Sequence, residues 1–178
     1  KDIFWCKNCL VMSTRPRVTF DERGFCSACR WVEEKKKLDW KKREEKLIQL
    51  LNKNRSEKKQ FDCITTVSGG KDGSYVTYNL KNKYKMNPLS ITIRPITETK
   101  LGIENLNSFI SKGYDHVLVS PDSEAMRKLC KLGLTEMGFP YYGWLIAIHT
   151  AVFRVAIQFN RPLVFYSEDG EVEYGGDA

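Results

Sequence analysis

The chain has 178 residues, of which 42% are hydrophobic and 29% charged, and its formal net charge is +7. This balance excludes an intrinsically disordered chain, and the lack of any apolar run of about 18 residues excludes a transmembrane helix. The first residues lack the basic-then-apolar layout of a signal peptide, so a cytoplasmic protein is expected.

Residues 1–30 contain four of the six cysteines, arranged as two C-x2-C pairs. Cys6 and Cys9 form the first pair and Cys26 and Cys29 the second, with 16 residues between the pairs. This spacing is typical of a structural site in which four thiolates bind Zn²⁺ tetrahedrally. The intervening RVTFDERGF predicts two short strands around a turn, as in a zinc ribbon. Two disulfides or a redox-active pair are alternatives, although nothing here indicates secretion.

Residues 31–60 predict one strongly charged amphipathic helix, which links the cysteine module to the rest of the chain. Trp40, Leu47 and Leu51 fall on one stripe and the charges lie elsewhere. Its basic surplus is consistent with an anionic partner, but the mixed signs favour a solvated face with i,i+4 ion pairs.

Short apolar runs alternate with helical patterns from Phe61 onward. This alternation predicts βαβ units and an α/β domain, residues 61–178, with a doubly wound parallel sheet. The chain ends just after a strand, where such a fold would usually continue. Strands are predicted at 62–67, 88–93, 116–120 and 162–167, and helices at 74–84, 102–112, 122–137 and 144–159.

The segment SGGKDGS, residues 68–74, connects the first strand of this domain to its first helix. Its glycines, Gly69, Gly70 and Gly73, permit positive φ angles and a close approach of backbone N–H groups to a phosphate. Ser68, Ser74 and Lys71 add hydroxyl and ammonium groups. Asp72 would repel phosphate unless a cation lay between them, which suggests Mg²⁺. The pattern is neither a Walker A loop nor G-x-G-x-x-G, and an incidental tight turn is the alternative.

This loop resembles the SGGxDS signature of the PP-loop ATP pyrophosphatases, with an extra glycine before Ser74. With the paired cysteines, the charged helix, NLNSFISKGYDHVLVSP (105–121) and FRVAIQFNRPLVFYSEDGEVEYGG (153–176), the chain is similar to the N-acetyl sugar amidotransferases. The likeness covers essentially the whole chain, although members of that family are longer. It implies conversion of an acetamido to an acetamidino group on bacterial surface sugars, in lipopolysaccharide or flagellin glycan biosynthesis.

The resemblance implies ATP and Mg²⁺ as ligands of the loop. ATP would adenylate the acetamido oxygen, pyrophosphate would leave, and ammonia would displace AMP. The nest from Ser68 to Ser74 would bind the pyrophosphate, with Lys71 and Asp72 as the catalytic residues. The implied partners are a nucleotide-linked N-acetyl sugar and a glutaminase subunit that supplies ammonia, and neither a membrane nor a nucleic acid is expected.

Residues at the carboxyl ends of the predicted strands are further candidates, because ligands of open α/β sheets bind there. Ile93 can pack on adenine, Ser120 follows the third strand, and Glu168 can bind Mg²⁺ or position the amide. A solvated loop residue is the alternative for each. The aromatic stretch YYGW, 141–144, suits either a sugar ring or the core.

A tRNA sulfurtransferase is the main alternative function, because such enzymes also join zinc ribbons to PP-loop domains. They usually need extra catalytic cysteines, whereas Cys63 and Cys130 stand alone. A zinc-ribbon binding module with a degenerate loop is a third, non-enzymatic interpretation, which a lack of ATP binding would favour.

Overall fold

The computed structural model describes residues 2–57, 60–168 and 170. The chain divides into two compact units, one built on residues 2–47 and the other on Ile48–Ser167. The boundary falls inside helix α2 (Trp40–Lys53), so the charged segment predicted as a linker contributes to both units.

The first unit is organised around its cysteines. Cys6, Cys26 and Cys29 are buried. Five partly buried apolar side chains pack against them: Val11, Val18, Phe20, Phe25 and Ala28. The β structure of this segment is limited to isolated antiparallel bridges, one of which joins Phe20 to Cys26. In place of the two strands predicted around the turn, the structure has this single bridge. The Asp21 carboxylate accepts hydrogen bonds from the N–H groups of Arg23 and Phe25, which closes the turn tightly.

The segment predicted as one helix contains a break. Helix α1 spans Ser27–Lys35, and α2 begins at Trp40. The Asp39 carboxylate accepts a hydrogen bond from the Lys42 N–H at the start of α2, and the Trp40 indole N–H donates to the Lys35 carbonyl at the end of α1. These bonds satisfy backbone groups that a helix end leaves unpaired, which stabilises the break.

The second unit contains a four-stranded parallel sheet, as the alternating pattern predicts. The strand order is β3-β2-β1-β4. The strands are β1 (Cys63–Thr66), β2 (Pro88–Ile93), β3 (His116–Val119) and β4 (Val164–Phe165), and the helices are α3 (Lys71–Asn82), α4 (Lys100–Ile110), α5 (Ser123–Met137) and α6 (Tyr142–Gln158).

Helices cover both faces of the sheet. Ile64 and Ile91 pack with Val152 of α6 in the apolar core on one face. On the other face, the Thr77 hydroxyl of α3 donates to Thr65, whose hydroxyl lies 3.2 Å from that of Ser90. Burial on both faces explains why β2 is buried throughout and β1 is buried up to Thr65, without the alternation of a strand that has one exposed face.

No helix in the described part of the chain is both long enough and apolar enough to cross a bilayer.

Candidate functional site

The glycine loop lies between the end of β1 and the start of α3, and close backbone contacts fix its shape. Gly69 has φ +82°, and a Cβ there would lie 2.6 Å from the Leu106 backbone nitrogen of α4. A Cβ on Gly73 would lie 2.5 Å from the Thr66 carbonyl oxygen. Only glycine fits both positions without movement of the backbone. The loop is therefore held between β1 and α4.

The start of α3 carries no capping side chain from the described residues. Its N-cap is Gly70, with extended backbone at φ −74° and ψ 171°. The first N–H groups of a helix lack partners within the helix, and the helix dipole places positive partial charge there. Their location at the glycine loop makes this end of α3 suitable for an anion.

The two loop serines differ in their hydrogen bonding. The Ser74 hydroxyl donates to the Gly70 carbonyl at 2.7 Å, so its proton is engaged within the helix. Ser68 is exposed and lines the cavity described below. The residue directly after Asp72 is Gly73, which is buried against the end of β1. The extra glycine, at which the loop departs from SGGxDS, thus has a packing role, and Ser68 is the better placed hydroxyl donor.

Lys71 and Asp72 pair with each other in the first turn of α3. The Lys71 ammonium lies 2.6 and 2.8 Å from the two carboxylate oxygens, and the side chains are 87% and 53% exposed. Exposed pairs of this kind contribute at most about 1 kcal/mol, so the pair can separate at little cost. Separation would let the carboxylate bind a cation and the ammonium bind a phosphate.

A cavity of about 240 Å³ opens beside the loop at the carboxyl end of β2. Ser68 and Ile93, both predicted as ATP-binding residues, line it together, and Leu106, Leu118 and Trp144 add apolar surface. Pockets for whole drug-sized ligands usually have about 300–1,000 Å³, so this cavity suits a planar ring and not a complete nucleotide.

Trp144 and Arg94 form one wall of this cavity. The indole N–H of Trp144 donates to the Arg94 carbonyl at 3.3 Å, and the Arg94 side chain pairs with Glu98 at 3.4 Å. The sequence predicts that the YYGW stretch either contacts a sugar ring or packs in the core. Of its four residues, Trp144 lines this cavity. No local pattern pointed to a contact between residues 50 positions apart.

The other predicted site residues lie elsewhere. Ser120 is exposed, one residue beyond the Val119–Ile93 pair of the sheet, and does not line the cavity. Glu168 is exposed and belongs to the first compact unit. Residues 171–176, the end of the EDGEVEYGG stretch, lie outside the described residues.

A hydrogen-bonded chain that sequence analysis did not identify connects β3 to the residue before the loop. The Thr92 hydroxyl donates to the Val67 carbonyl at 2.6 Å and lies 2.8 Å from Nε2 of His116. Since its one proton is used, Thr92 must accept from His116, which places the imidazole proton on Nε2. Burial lowers the pKa of His116, in agreement with a neutral ring.

The four N-terminal cysteines converge as their spacing predicts. Their sulfur atoms all lie within 4.8 Å of one another, with 3.8 Å between Cys6 and Cys29 and 3.4 Å between Cys9 and Cys26. Tetrahedral zinc with Zn–S bonds of about 2.3 Å would separate sulfurs by about 3.8 Å. All six cysteines of the chain are free thiols, so the four N-terminal cysteines do not form the two disulfides that were the alternative. The cluster could hold a metal ion that prefers thiolates, such as zinc.

Hydrogen bonds to sulfur support this role. The N–H groups of Asn8 and Cys26 donate to the Cys6 sulfur at 3.4 and 3.2 Å, and the Asn8 side-chain amide donates to Cys29 at 3.2 Å. Burial raises the pKa of Cys9 and Cys29, whereas at Cys6 the backbone N–H groups of Asn8, Cys26 and Cys9 outweigh burial and lower the pKa to about 6. A thiolate is the form that binds metal.

No protein-family model matches this chain, and no curated protein matches it by sequence.

Proposed function

We propose that the chain is an ATP-dependent N-acetyl sugar amidotransferase of the PP-loop type. The observation that carries this proposal is the glycine loop, whose Ser68 lines a cavity sized for a planar base and which leads into the uncapped start of α3 with Lys71 and Asp72. Phosphate groups and an adenine ring are linked in ATP, and the loop connects Ser68 at the cavity to the start of α3 within three residues. The β3-β2-β1-β4 order supports a doubly wound PP-loop domain.

The proposed reaction begins with attack of the acetamide oxygen on the α-phosphorus of ATP. Pyrophosphate leaves, and the resulting imidate carries AMP on its oxygen. Ammonia adds to the imidate carbon and AMP departs with the oxygen, which leaves an amidine. The chain needs no nucleophilic side chain for these steps, because adenylation converts a poor leaving group into a good one.

The loop residues would act on the leaving pyrophosphate. The N–H groups of the first α3 turn would donate hydrogen bonds to its oxygens, and the Lys71 ammonium would offset its growing charge. Mg²⁺, when bound through the half-exposed Asp72 carboxylate, would supply further charge neutralisation. Ile93 and Trp144 would contact the base.

The remaining parts of the proposal follow the resemblance. The cysteine cluster would hold structural Zn²⁺, a separate glutaminase subunit would deliver ammonia, and the acceptor would be a nucleotide-linked N-acetyl sugar in the cytoplasm.

The environment of Cys63 weighs against tRNA thiolation. Cys63 is fully buried in β1, where burial and, secondarily, the charge of Asp62 raise the pKa of its thiol to about 12. Such a thiol is a poor sulfur carrier. Among the described residues, the one cysteine group that could bind metal is the N-terminal set.

Product analysis by mass spectrometry tests the function directly. The protein is incubated with ATP, Mg²⁺, ammonia and UDP-N-acetylglucosamine. We expect AMP, pyrophosphate and a sugar in which NH replaces oxygen. AMP release only with tRNA, or sulfur in place of oxygen, would assign the protein to the thiolation enzymes instead.

Substitution of Asp72 identifies the loop as the site. Asp72→Asn should reduce AMP formation by at least about 100-fold, as expected for loss of a charged group in the transition state. The matched control is Asp115→Asn. Asp115 is exposed and precedes the amino end of β3, whereas the glycine loop follows the carboxyl end of β1. Equal activity in both variants would exclude a role for Asp72.

A further inference from the structure

A groove between α3 and α4 is lined by other loop residues than the base-sized cavity, which Ser68 lines. Its volume is about 480 Å³, large enough for a ligand of several rings. It shares Gly69, Lys71 and Ser74 with the loop, and neither the resemblance nor the proposed chemistry assigns a role to its other residues. Its side chains are aromatic, basic or small and polar, notably Lys71, Tyr75, Tyr78, Asn105, Ser108 and Lys112.

Two tyrosines expose their rings along this groove. Tyr75 is 70% exposed and Tyr78 is 57% exposed. They are three residues apart on α3, so they are neighbours on one helix face. Large apolar rings that stay in solvent at a groove are typical of surfaces that stack on a sugar ring or a base.

The floor of the groove is held rigidly. The rings of Phe109 and Tyr114 stack with 4.4 Å between centroids and 5° between planes. Lys81 lies 4.9 Å from the centre of the Tyr114 ring and donates to the Gly113 carbonyl at 2.6 Å. A surface that is already ordered loses little conformational entropy when a ligand binds.

The groove also has positive charge. Lys112 is exposed and has no ion-pair or hydrogen-bond partner for its ammonium among the residues that the structure describes. Lys71 contributes a second ammonium at the loop, where it pairs with Asp72. Ammonium groups next to aromatic rings and the Asn105 amide match a ligand that joins phosphate to a hydroxylated ring.

We propose that this groove binds a nucleotide-linked sugar, with a ring against Tyr75 and Tyr78 and the phosphates near Lys112, which leaves Lys71 to the ATP pyrophosphate. The identification of this ligand as the acceptor rests on the proposed function, but its binding requires no ATP.

Calorimetric titration of the full chain without ATP or Mg²⁺ tests the groove. The probes are UDP-N-acetylglucosamine, UDP and N-acetylglucosamine. We expect the sugar nucleotide to bind most tightly and the neutral sugar most weakly. Tyr78→Ala and Lys112→Ala should each raise Kd for UDP-N-acetylglucosamine by about 5- to 10-fold, while Tyr78→Phe, which keeps the ring, should stay near the original value.

The matched controls are Phe153→Ala and Lys131→Ala, which alter exposed residues outside the groove. Both should leave Kd unchanged. Melting curves of all variants establish that each is folded. Unchanged Kd in Tyr78→Ala and Lys112→Ala, weaker binding in Phe153→Ala alone, or no binding of any probe would overturn the proposal. Displacement of the sugar nucleotide by an oligoribonucleotide of comparable affinity would also overturn the proposal, because it would identify RNA as the ligand of the groove.

Separate titration with AMPPNP and Mg²⁺ distinguishes this inference from the proposed function. Binding of UDP-N-acetylglucosamine with the expected variant pattern, but no binding of AMPPNP, would support the groove and refute the ATP chemistry. Formation of AMP and amidine with an unaltered Kd in the groove variants would refute the groove and leave the proposed function intact.

Discussion

At the scale of single residues, the glycines of the loop are constrained by what lies next to them. Glycine in a helix normally costs about 1 kcal/mol relative to alanine. Gly73 is an exception, because an added methyl group would meet the Thr66 carbonyl oxygen at 2.5 Å and the Val67 Cα at 3.0 Å. Both neighbours are backbone atoms of the strand end, which cannot rotate away as a side chain can.

Gly73→Ala should therefore destabilise the protein, by about 1–3 kcal/mol, which is the usual cost of overpacking. Urea unfolding followed by circular dichroism measures the change. Gly102→Ala in α4 is the matched control, since its methyl would meet only the Thr99 hydroxyl at 3.1 Å, and we expect it to change stability by less than about 1 kcal/mol. A stabilised Gly73→Ala variant would contradict the close approach.

At the scale of secondary-structure elements, β1, β2 and β3 are joined beyond their backbone ladder. His116 of β3 donates to Thr92 of β2, which donates to Val67 next to the loop. Burial holds the pKa of His116 below its ordinary value of about 6.5. Below pH 6.5 the unfolded chain binds a proton at this histidine more readily than the folded chain does. The free energy of unfolding therefore decreases as the pH is lowered. Above pH 6.5 the ring is neutral in both states, so its full contribution to the free energy of unfolding is present.

Stability should therefore decline as pH is lowered from about 6.5, before the carboxylates titrate. Urea midpoints at closely spaced pH values measure this decline. His116→Gln should flatten the dependence in this window, whereas His149→Gln, which alters the only other histidine, should retain it. Retention of the full dependence in His116→Gln would show that another group is responsible.

At the scale of the whole molecule, two units are stabilised by different means. The second unit has an apolar core between the sheet and α6, whereas the first relies on a few small contacts around Cys6, Cys26 and Cys29. Segments with so little apolar core usually need a metal or disulfides, and the thiols here are free. We infer that metal binding supplies most of the stability of residues 2–30.

Removal of the metal with a strong chelator should unfold residues 2–30 and leave the sheet folded. Hydrogen exchange would show lost protection in that segment only, and metal analysis should find one zinc per chain beforehand. Cys9→Ser should lower the bound zinc, while Cys130→Ser, on α5 outside the cluster, should not. Loss of protection in β1 and β2 after chelation would contradict the independence of the second unit.

The sequence by itself determined the features that depend on short-range geometry. C-x2-C turns direct sulfurs to one point, alternating periodicities select strands and helices, and glycines near a strand end permit a tight loop. It left open the break at Asp39, where capping side chains end one helix and begin the next. It also placed the start of α3 at Ser74 instead of Lys71, because capping by Gly70 leaves no side-chain signal.

Only the tertiary structure decided which distant groups meet. The packing of α4 makes Gly69 obligatory, Trp144 reaches Arg94 across 50 positions, and His116 joins Thr92 through the pairing of β2 with β3. The same packing gives Ser68 and Ile93 a shared cavity. A local pattern specifies backbone conformation, because that depends on nearby sterics and hydrogen bonds. It carries no record of its eventual neighbours, because those are set by the burial of apolar faces far apart in the chain.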